Sequence, residues 1–482
     1  MSGTHAEGAE RQTLSTHQKA LKINLDPMWY GSFAEIGAGQ EVARWFFKVG
    51  AAAGTIAKSI SAYDMAVSDA IYGKVKRYVS RDRLQRMLDY EHALNLERLQ
   101  ATRGASTAFF SFATTVSARN FHGTNECHGW MGVKYQTHPR DEDSQIIIHV
   151  RMLDTENELQ QQALGIVGVN LLYAAFFLQH RPEMMLESLL DNLSTARLEI
   201  DMVEFSGIEF RYVDNRVMSL KLVQLGLSDA AMFGPSGAVL QPSEVLRKRP
   251  ILVERGSFRP VTKVSIDMMH SARDRFAKES EREPGKVLEL MEITMRNLLV
   301  AGAIDLSDFL ARADVLAATG KVVLISNYFE YYRLAAYLAR YTKEPIAVTM
   351  GAGSLQELFG EQYYSGLEGG ILEAFGKLFT KDLRLYVYPL KGPDGKLTTV
   401  DTIKMPGNLQ SLYSHLVEGG RIRQLDNFDE KLLHIFSRDV LRRIKDQDAS
   451  WEAMVPPEIA EVIKGRGFFG YLPDEGNLDG GG

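Results

Sequence analysis

Residues 255–265 gather a glycine, three hydroxyls and three cations around one expected strand-to-helix turn. Pro250-Ile251-Leu252-Val253-Glu254 reads as a short buried strand and Gly256-Ser257 as a turn, and Ile266, Met269 and Phe276 recur along one helical face. Such a turn suits an anion. Gly256 lets backbone approach a ligand closely, Pro260 fits a loop or a first helical turn, and the helix start aims unpaired N–H groups outward. Gly256 and Ser257 would offer backbone donors, Thr262 and Ser265 would hydrogen-bond phosphate, and Arg255, Arg259 and Lys263 would neutralise its charge. The corresponding chemistry is transfer of a phosphorus-centred group, which depends on positioning and electrostatics more than on protein acids and bases.

The same stretch resembles the first motif of the nicotinate and nicotinamide mononucleotide adenylyltransferases, in which Gly-(Gly/Ser)-Phe-(Asn/Asp)-Pro precedes (His/Thr)-x-x-His. Gly256, Ser257, Phe258, Pro260 and Thr262 fit that pattern, whereas Arg259 replaces the Asn or Asp and Ser265 the second histidine. The resemblance implies a Rossmann-like body, Mg²⁺ arriving with ATP, and AMP transfer to a mononucleotide with expulsion of pyrophosphate. It assigns catalysis to Arg259, Thr262, Lys263 and Ser265, and nucleotide binding to Gly256, Ser257 and Phe258. As a whole the chain also resembles a family of large soluble bacterial proteins to which that adenylyltransferase label has been attached. Serine cannot supply the cationic hydrogen bonds of a histidine, so the alternative expectation is a non-catalytic nucleotide-binding or self-assembling scaffold.

Two further turns extend the expected nucleotide site. Lys321 to Tyr328 is a strand running into a polar turn, and Ser326, Asn327 and Arg333 loosely resemble the phosphate-holding Ser/Thr turn and arginine of the adenylyltransferases. Thr349-Met350-Gly351-Ala352-Gly353-Ser354 ends another strand, where Gly351 and Gly353 would let backbone lie against a ribose or base, or Ser354 would cap a helix starting at Leu355. Glu35-Ile36-Gly37-Ala38-Gly39 resembles the glycine loop of methyltransferases that use S-adenosylmethionine, but no apolar strand is expected before it. His122, Glu126, Cys127, His128 and His138 lack the ligand spacing of a structural zinc site, and no protein-bound metal is expected.

These turns need elements to hold them. With 482 residues, 45% hydrophobic and 24% charged, the chain has the composition of a multi-domain soluble globular protein. A net charge of −6 excludes a general nucleic-acid-coating surface, and the single Cys127 excludes an intrachain disulfide framework and suits a reducing cytoplasm. Ala163 to Leu178 is apolar but reads as a helix buried in protein, so no membrane span is expected. Residues 1–22 and 471–482 read as mobile tails, 23–104 as helical and 105–195 as a small α+β region. Residues 196–407 are expected to form a Rossmann-like, doubly wound, mainly parallel α/β domain, with 408–470 helical. Its expected strands are Leu198 to Phe205, Ala230 to Phe233, Ile251 to Glu254, Val322 to Ser326, Ile346 to Met350 and Leu383 to Tyr388, with Val287 to Val300 and Leu355 to Phe379 among the helices. The small-residue run Gly50 to Gly54 is expected to pack helices closely or to serve a homo-oligomer.

Overall fold

A computed structural model describes residues 13–37, 40–300, 302–392 and 394–473. The chain divides into two compact units, Met1–Ser228 and Asp229–Gly482.

The first unit is built on six strands, β1 (Trp29–Ile36), β2 (Ile56–Ile60), β3 (Ala108–Ser117), β4 (His128–Gln136), β5 (Asp143–Met152) and β6 (Leu198–Gly207), in the order β2-β1-β3-β4-β5-β6. β1 runs parallel to β2 and β3, and the remaining pairings are antiparallel. Among its helices are α1 (Thr16–Asn24), α2 (Glu41–Val49), α3 (Arg81–Arg103) and α4 (Asn157–Phe177). α4 is apolar around most of its girth and is buried accordingly, its Phe176 ring stacking on Trp29 at 4.1 Å. Gly168 is required here, because a Cβ would lie 2.3 Å from a methyl of Val42 on α2.

Several expectations change. β1 and β2 lie in the stretch 23–104 read as helical, and α1 begins inside the segment 1–22 read as a tail. Lys19 on α1 is buried, donating to Asp191 at 2.6 Å and to Asn170 at 2.8 Å, which a short polar stretch does not advertise. Gly50 to Gly54 is a turn rather than a helix face. The strand at Leu198 completes the first sheet, so the α/β body begins after Ser228 instead of at 196. Glu35 does have a strand before it, β1, and its carboxylate accepts the N–H groups of Val42 and Ala43 at the start of α2; Ala38 and Gly39 lie outside the described residues.

The main sheet of the second unit has eight strands: β7 (Ala230–Phe233), β8 (Val239–Leu240), β9 (Ile251–Arg255), β10 (Leu288–Thr294), β11 (Val322–Ser326), β12 (Ile346–Gly351), β13 (Arg384–Tyr388) and β14 (Ile422–Gln424). They lie in the order β14-β13-β12-β9-β10-β11-β7-β8. The six from β9 to β14 are mutually parallel, and β7 and β8 add an antiparallel margin. From β9 the chain moves outward through β10 and β11, then returns to β9's other side for β12, β13 and β14. That is a doubly wound α/β sheet, consistent with a Rossmann-like fold, and its order reverses beside β9.

Helices α5 (Lys263–Glu279), α6 (Leu306–Ala318), α7 (Tyr331–Tyr341), α8 (Ala352–Leu358) and α9 (Gly370–Leu378) cover this sheet. Ile251, Val253, Val348, Leu385 and Val387 share a core with α7 and α9, while Tyr386, on the opposite side of its strand, meets Phe276 of α5 at 6.3 Å. The expected helix Val287 to Val300 is largely β10, a doubly covered strand whose apolar run imitates a helix segment. The expected helix Leu355 to Phe379 is broken into α8, a single turn and α9. Residues 408–470 carry helices as expected, with Pro457 at the first position of Pro457–Arg466, but also the strand β14. Among the described residues no helix is long and apolar enough to cross a membrane.

Lys19→Met is expected to destabilise the first unit by about 3–5 kcal/mol, because it leaves the Asp191 carboxylate buried without its ammonium. Urea unfolding followed by fluorescence checks this, since Trp29, Trp45 and Trp130 all lie in that unit, and Lys19→Met with Asp191→Leu should recover most of the loss.

Candidate functional site

The carboxyl ends of β9, β10 and β11 are tied by one arginine. Arg255 donates to the two oxygens of Glu292 at 2.8 and 3.0 Å, and to the carbonyls of Phe329 and Tyr328 at 2.7 and 2.9 Å. Tyr331 lies 4.1 Å beneath its guanidinium. Glu292 is wholly buried and also accepts the Ser326 hydroxyl at 2.6 Å, so Ser326 is an interior partner of a carboxylate rather than a ligand group. A carboxylate with no exposure survives only with such partners.

The turn after β9 is closed by its own side chains. Phe258 is buried with φ +45°, and a Cβ on Gly256 would come within 2.9 Å of its ring, so the glycine admits Phe258 and not a ligand. Thr262 caps α5, its Oγ1 accepting the Ser265 N–H at 3.4 Å. Ser265, which stands where the motif calls for histidine, turns its hydroxyl to the buried Glu254 carboxyl. Arg259 Nε bonds Asp308 at 2.5 Å, and Arg312, which also bonds Asp308, reaches the Ser257 carbonyl at 3.1 Å. Lys263 Nζ donates to the Ala453 carbonyl at 2.8 Å. The four residues expected to be catalytic are thus engaged in the protein's own bonds.

Of the remaining expected binding residues, Asn327 is exposed and bonds the Asp229 carbonyl through its N–H, and Arg333 is exposed beside Glu330 at 3.7 Å. Ser354 does not cap a helix at Leu355: α8 begins at Ala352 with Gly351 as its cap. A Cβ on either Gly351 or Gly353 would meet open space.

That space adjoins a pocket of about 320 Å³ lined by Arg255, Thr294, Arg296, Phe329, Glu330, Ser354, Glu357 and Tyr363 among others. Its walls come from the chain just after β9, β10, β11 and β12, so it spans the point where strand order reverses. Phe329 and Tyr363 form an aromatic wall, their centroids 5.5 Å apart, and exposed Arg296 lies 4.4 Å over Phe329. Glu330 Oε2 is buried there without a hydrogen-bond partner. Sequence reasoning missed Arg296, Phe329, Glu330 and Tyr363. The alternation Leu288, Leu290, Glu292 ending at Thr294 was the available signal for a strand whose end places Arg296.

No family model matches this chain, and no curated protein matches it. Among solved structures it is similar to the competence/damage inducible protein CihA from Agrobacterium tumefaciens, at 16% identity and TM-score 0.25 over 33% of this chain and 94% of that one. It is also similar to a competence-damaged protein (CinA) superfamily protein from Enterobacter cloacae, at 12% identity and TM-score 0.26 over 36% and 99% of the two chains. A protein of that superfamily from Escherichia coli is 15% identical with TM-score 0.22, over 31% and 81%. Likenesses at these scores carry no argument about function.

Burial pushes Glu254 up to about 8, with the Ser265 hydrogen bond opposing, and its Oε2 has no partner. The folded carboxyl keeps its proton up to that pH, whereas the unfolded chain releases it near 4.5, so the folded state binds the extra proton in between. The resulting stability is complete below pH 4.5 and is lost as pH rises through about 8. Glu254→Gln is expected to flatten this part of the stability profile, measured by denaturant midpoints at several pH values.

Proposed function

We propose that the second unit binds a mononucleotide at the carboxyl edge of its sheet, and that adenylyl transfer does not run through Arg259, Thr262, Lys263 and Ser265. The observation that carries this reading is the location of the pocket, outside the strand ends where the order reverses beside β9, which is where open α/β sheets take their ligands. Its volume of about 320 Å³ suits a mononucleotide better than a dinucleotide. In this reading the base lies on the wall formed by Phe329 and Tyr363, and Arg296 meets the phosphate. Glu330 Oε2 accepts a hydroxyl or amide N–H, which satisfies a buried oxygen. For ATP, the accompanying Mg²⁺ would take its protein oxygens from Glu330 and Glu357.

Isothermal titration with nicotinamide mononucleotide and with ATP, each with Mg²⁺, tests the proposal alongside a pyrophosphate-release assay. Binding is expected to weaken about tenfold in Arg296→Ala, equivalent to about 1.4 kcal/mol. Gly353→Ala is expected to weaken binding as well, although it adds helix propensity and no clash within the protein. Arg259→Ala and Lys263→Ala should leave both binding and any pyrophosphate release at the wild-type level. Absence of binding, or turnover lost in Lys263→Ala, would overturn the reading.

A further inference from the structure

The first unit contains a chain of titratable groups that its fold does not require. Asp201 on β6 and His149 on β5 are both about 1% exposed, and Asp201 Oδ1 lies 2.6 Å from His149 Nδ1. His149 Nε2 lies 2.9 Å from Nδ1 of His128, the first residue of β4, which is half-buried. Across β3 and β4, Ser117 stands directly opposite His128 and is likewise half-buried. Directly opposite residues hold their Cβ atoms about 4.5–5.5 Å apart. The row therefore runs from a buried carboxylate through two imidazoles, and Ser117, whose hydroxyl accepts from Asn125, stands across from its outer end.

The sheet is deformed to make this row. In the pairing of β5 with β6, His149 faces Met202 and the next residue, Val150, faces Ile200, so Asp201 is the extra residue of a bulge. A bulge re-aims a side chain, and here Asp201 bonds His149. Apolar β-branched residues would fill positions 149 and 201 with less desolvation, and a buried ion pair is weak evidence for stability. Trp130 packs edge-on against His149 at 4.8 Å and, itself buried, keeps water from the middle of the row.

We propose that Ser117 and His128 form a second catalytic site, a serine nucleophile with its general base, acting on the carbonyl of an uncharged ester or amide, with His149 and Asp201 as positioning residues. A carboxylate only accepts hydrogen bonds, so Asp201 fixes the proton of His149 on Nδ1. His149 Nε2 then accepts from His128 Nδ1, and the lone pair of His128 Nε2 is left to act as base. Burial, the largest cause, holds His128 down to about 4, so that nitrogen is unprotonated at neutral pH. Asn125 Nδ2 donates to Ser117 Oγ at 3.1 Å, which leaves the hydroxyl proton to go to His128. Arg151 is engaged by Glu199 and lies 3.8 Å from Glu126, so it does not favour a phosphate.

As Ser117 Oγ bonds the carbonyl carbon, its proton passes to His128 Nε2. The positive charge is shared with His149, where Asp201 balances it. His128 returns the proton to the alkoxide or amine as its bond to carbon breaks, and water, deprotonated by the same nitrogen, releases the acyl group from Ser117 as the acid.

The test is covalent labelling of the full chain with an alkyl fluorophosphonate, in which Ser117 Oγ bonds phosphorus and fluoride leaves. Peptide mass mapping should place the label on Ser117, with none in Ser117→Ala. The labelling rate should rise through about pH 4 and stay level at neutral pH, where an ordinary imidazole would give its step near 6.5. His128→Gln, a half-buried position, should lower the rate about 100-fold and abolish the pH step, with the circular dichroism unchanged. Asp201→Asn should also slow labelling and displace the pH step. A wild-type protein that is not labelled at Ser117, or that labels equally fast in His128→Gln, would overturn the proposal.

Discussion

The second unit depends on the pairing of Arg255 with Glu292. Three neighbouring parallel strands end at the same level, and each end presents polar backbone to the space above the sheet. A single guanidinium, planar and with five donors, crosses two of these ends and closes the loop after the third. Glu292 has no exposure, and Arg255 and Ser326 supply the hydrogen bonds to its carboxylate. One wall of the pocket is hung from this knot: Phe329 carries one of the carbonyls that Arg255 holds, Glu330 follows it, and Tyr331 is clamped under the guanidinium. In many doubly wound proteins an acid farther along the chain receives a ribose hydroxyl. Here the acid at the end of β10 is engaged by the protein itself, and the side chains that face the pocket above it include Arg296, Phe329 and Tyr363.

How much of this was legible in the sequence depended on what each local pattern reports. The strands at Ile251, Val322 and Ile346 were found because short β-branched runs bounded by turn residues have few other readings. β10 was not, because alternating leucine and methionine with glutamate suits a helix as well as a strand, and only the flanking parallel partners decide. The turn from Gly256 to Thr262 was located correctly and its chemistry was not. Its glycine, hydroxyls and cations match a phosphate cradle by type, but Asp308, Glu254 and the Ala453 carbonyl, distant in sequence, take up Arg259, Ser265 and Lys263. A motif reports residue types, and only the fold reports their partners.

The first unit shows the reverse. Residues 105–195 were read as a small α+β region, but the carboxylate–imidazole row that crosses its strands left no sequence signature, because its members are 21 and 52 residues apart. The bulge at Asp201 is equally silent in sequence. His128 had been considered only alongside Cys127 and His122 as a metal ligand. In the fold its nearest polar neighbour is His149, on the adjacent strand.

The eight-stranded sheet of the second unit stops in β14, with three residues, on one side and β8, with two, on the other. An exposed sheet margin is a template for a stranger's backbone, and its reach scales with the length of ladder it offers. Margins this short present too few unpaired N–H and C=O groups to hold a recruited strand, so the unit is guarded against edge-to-edge aggregation by where its strands end.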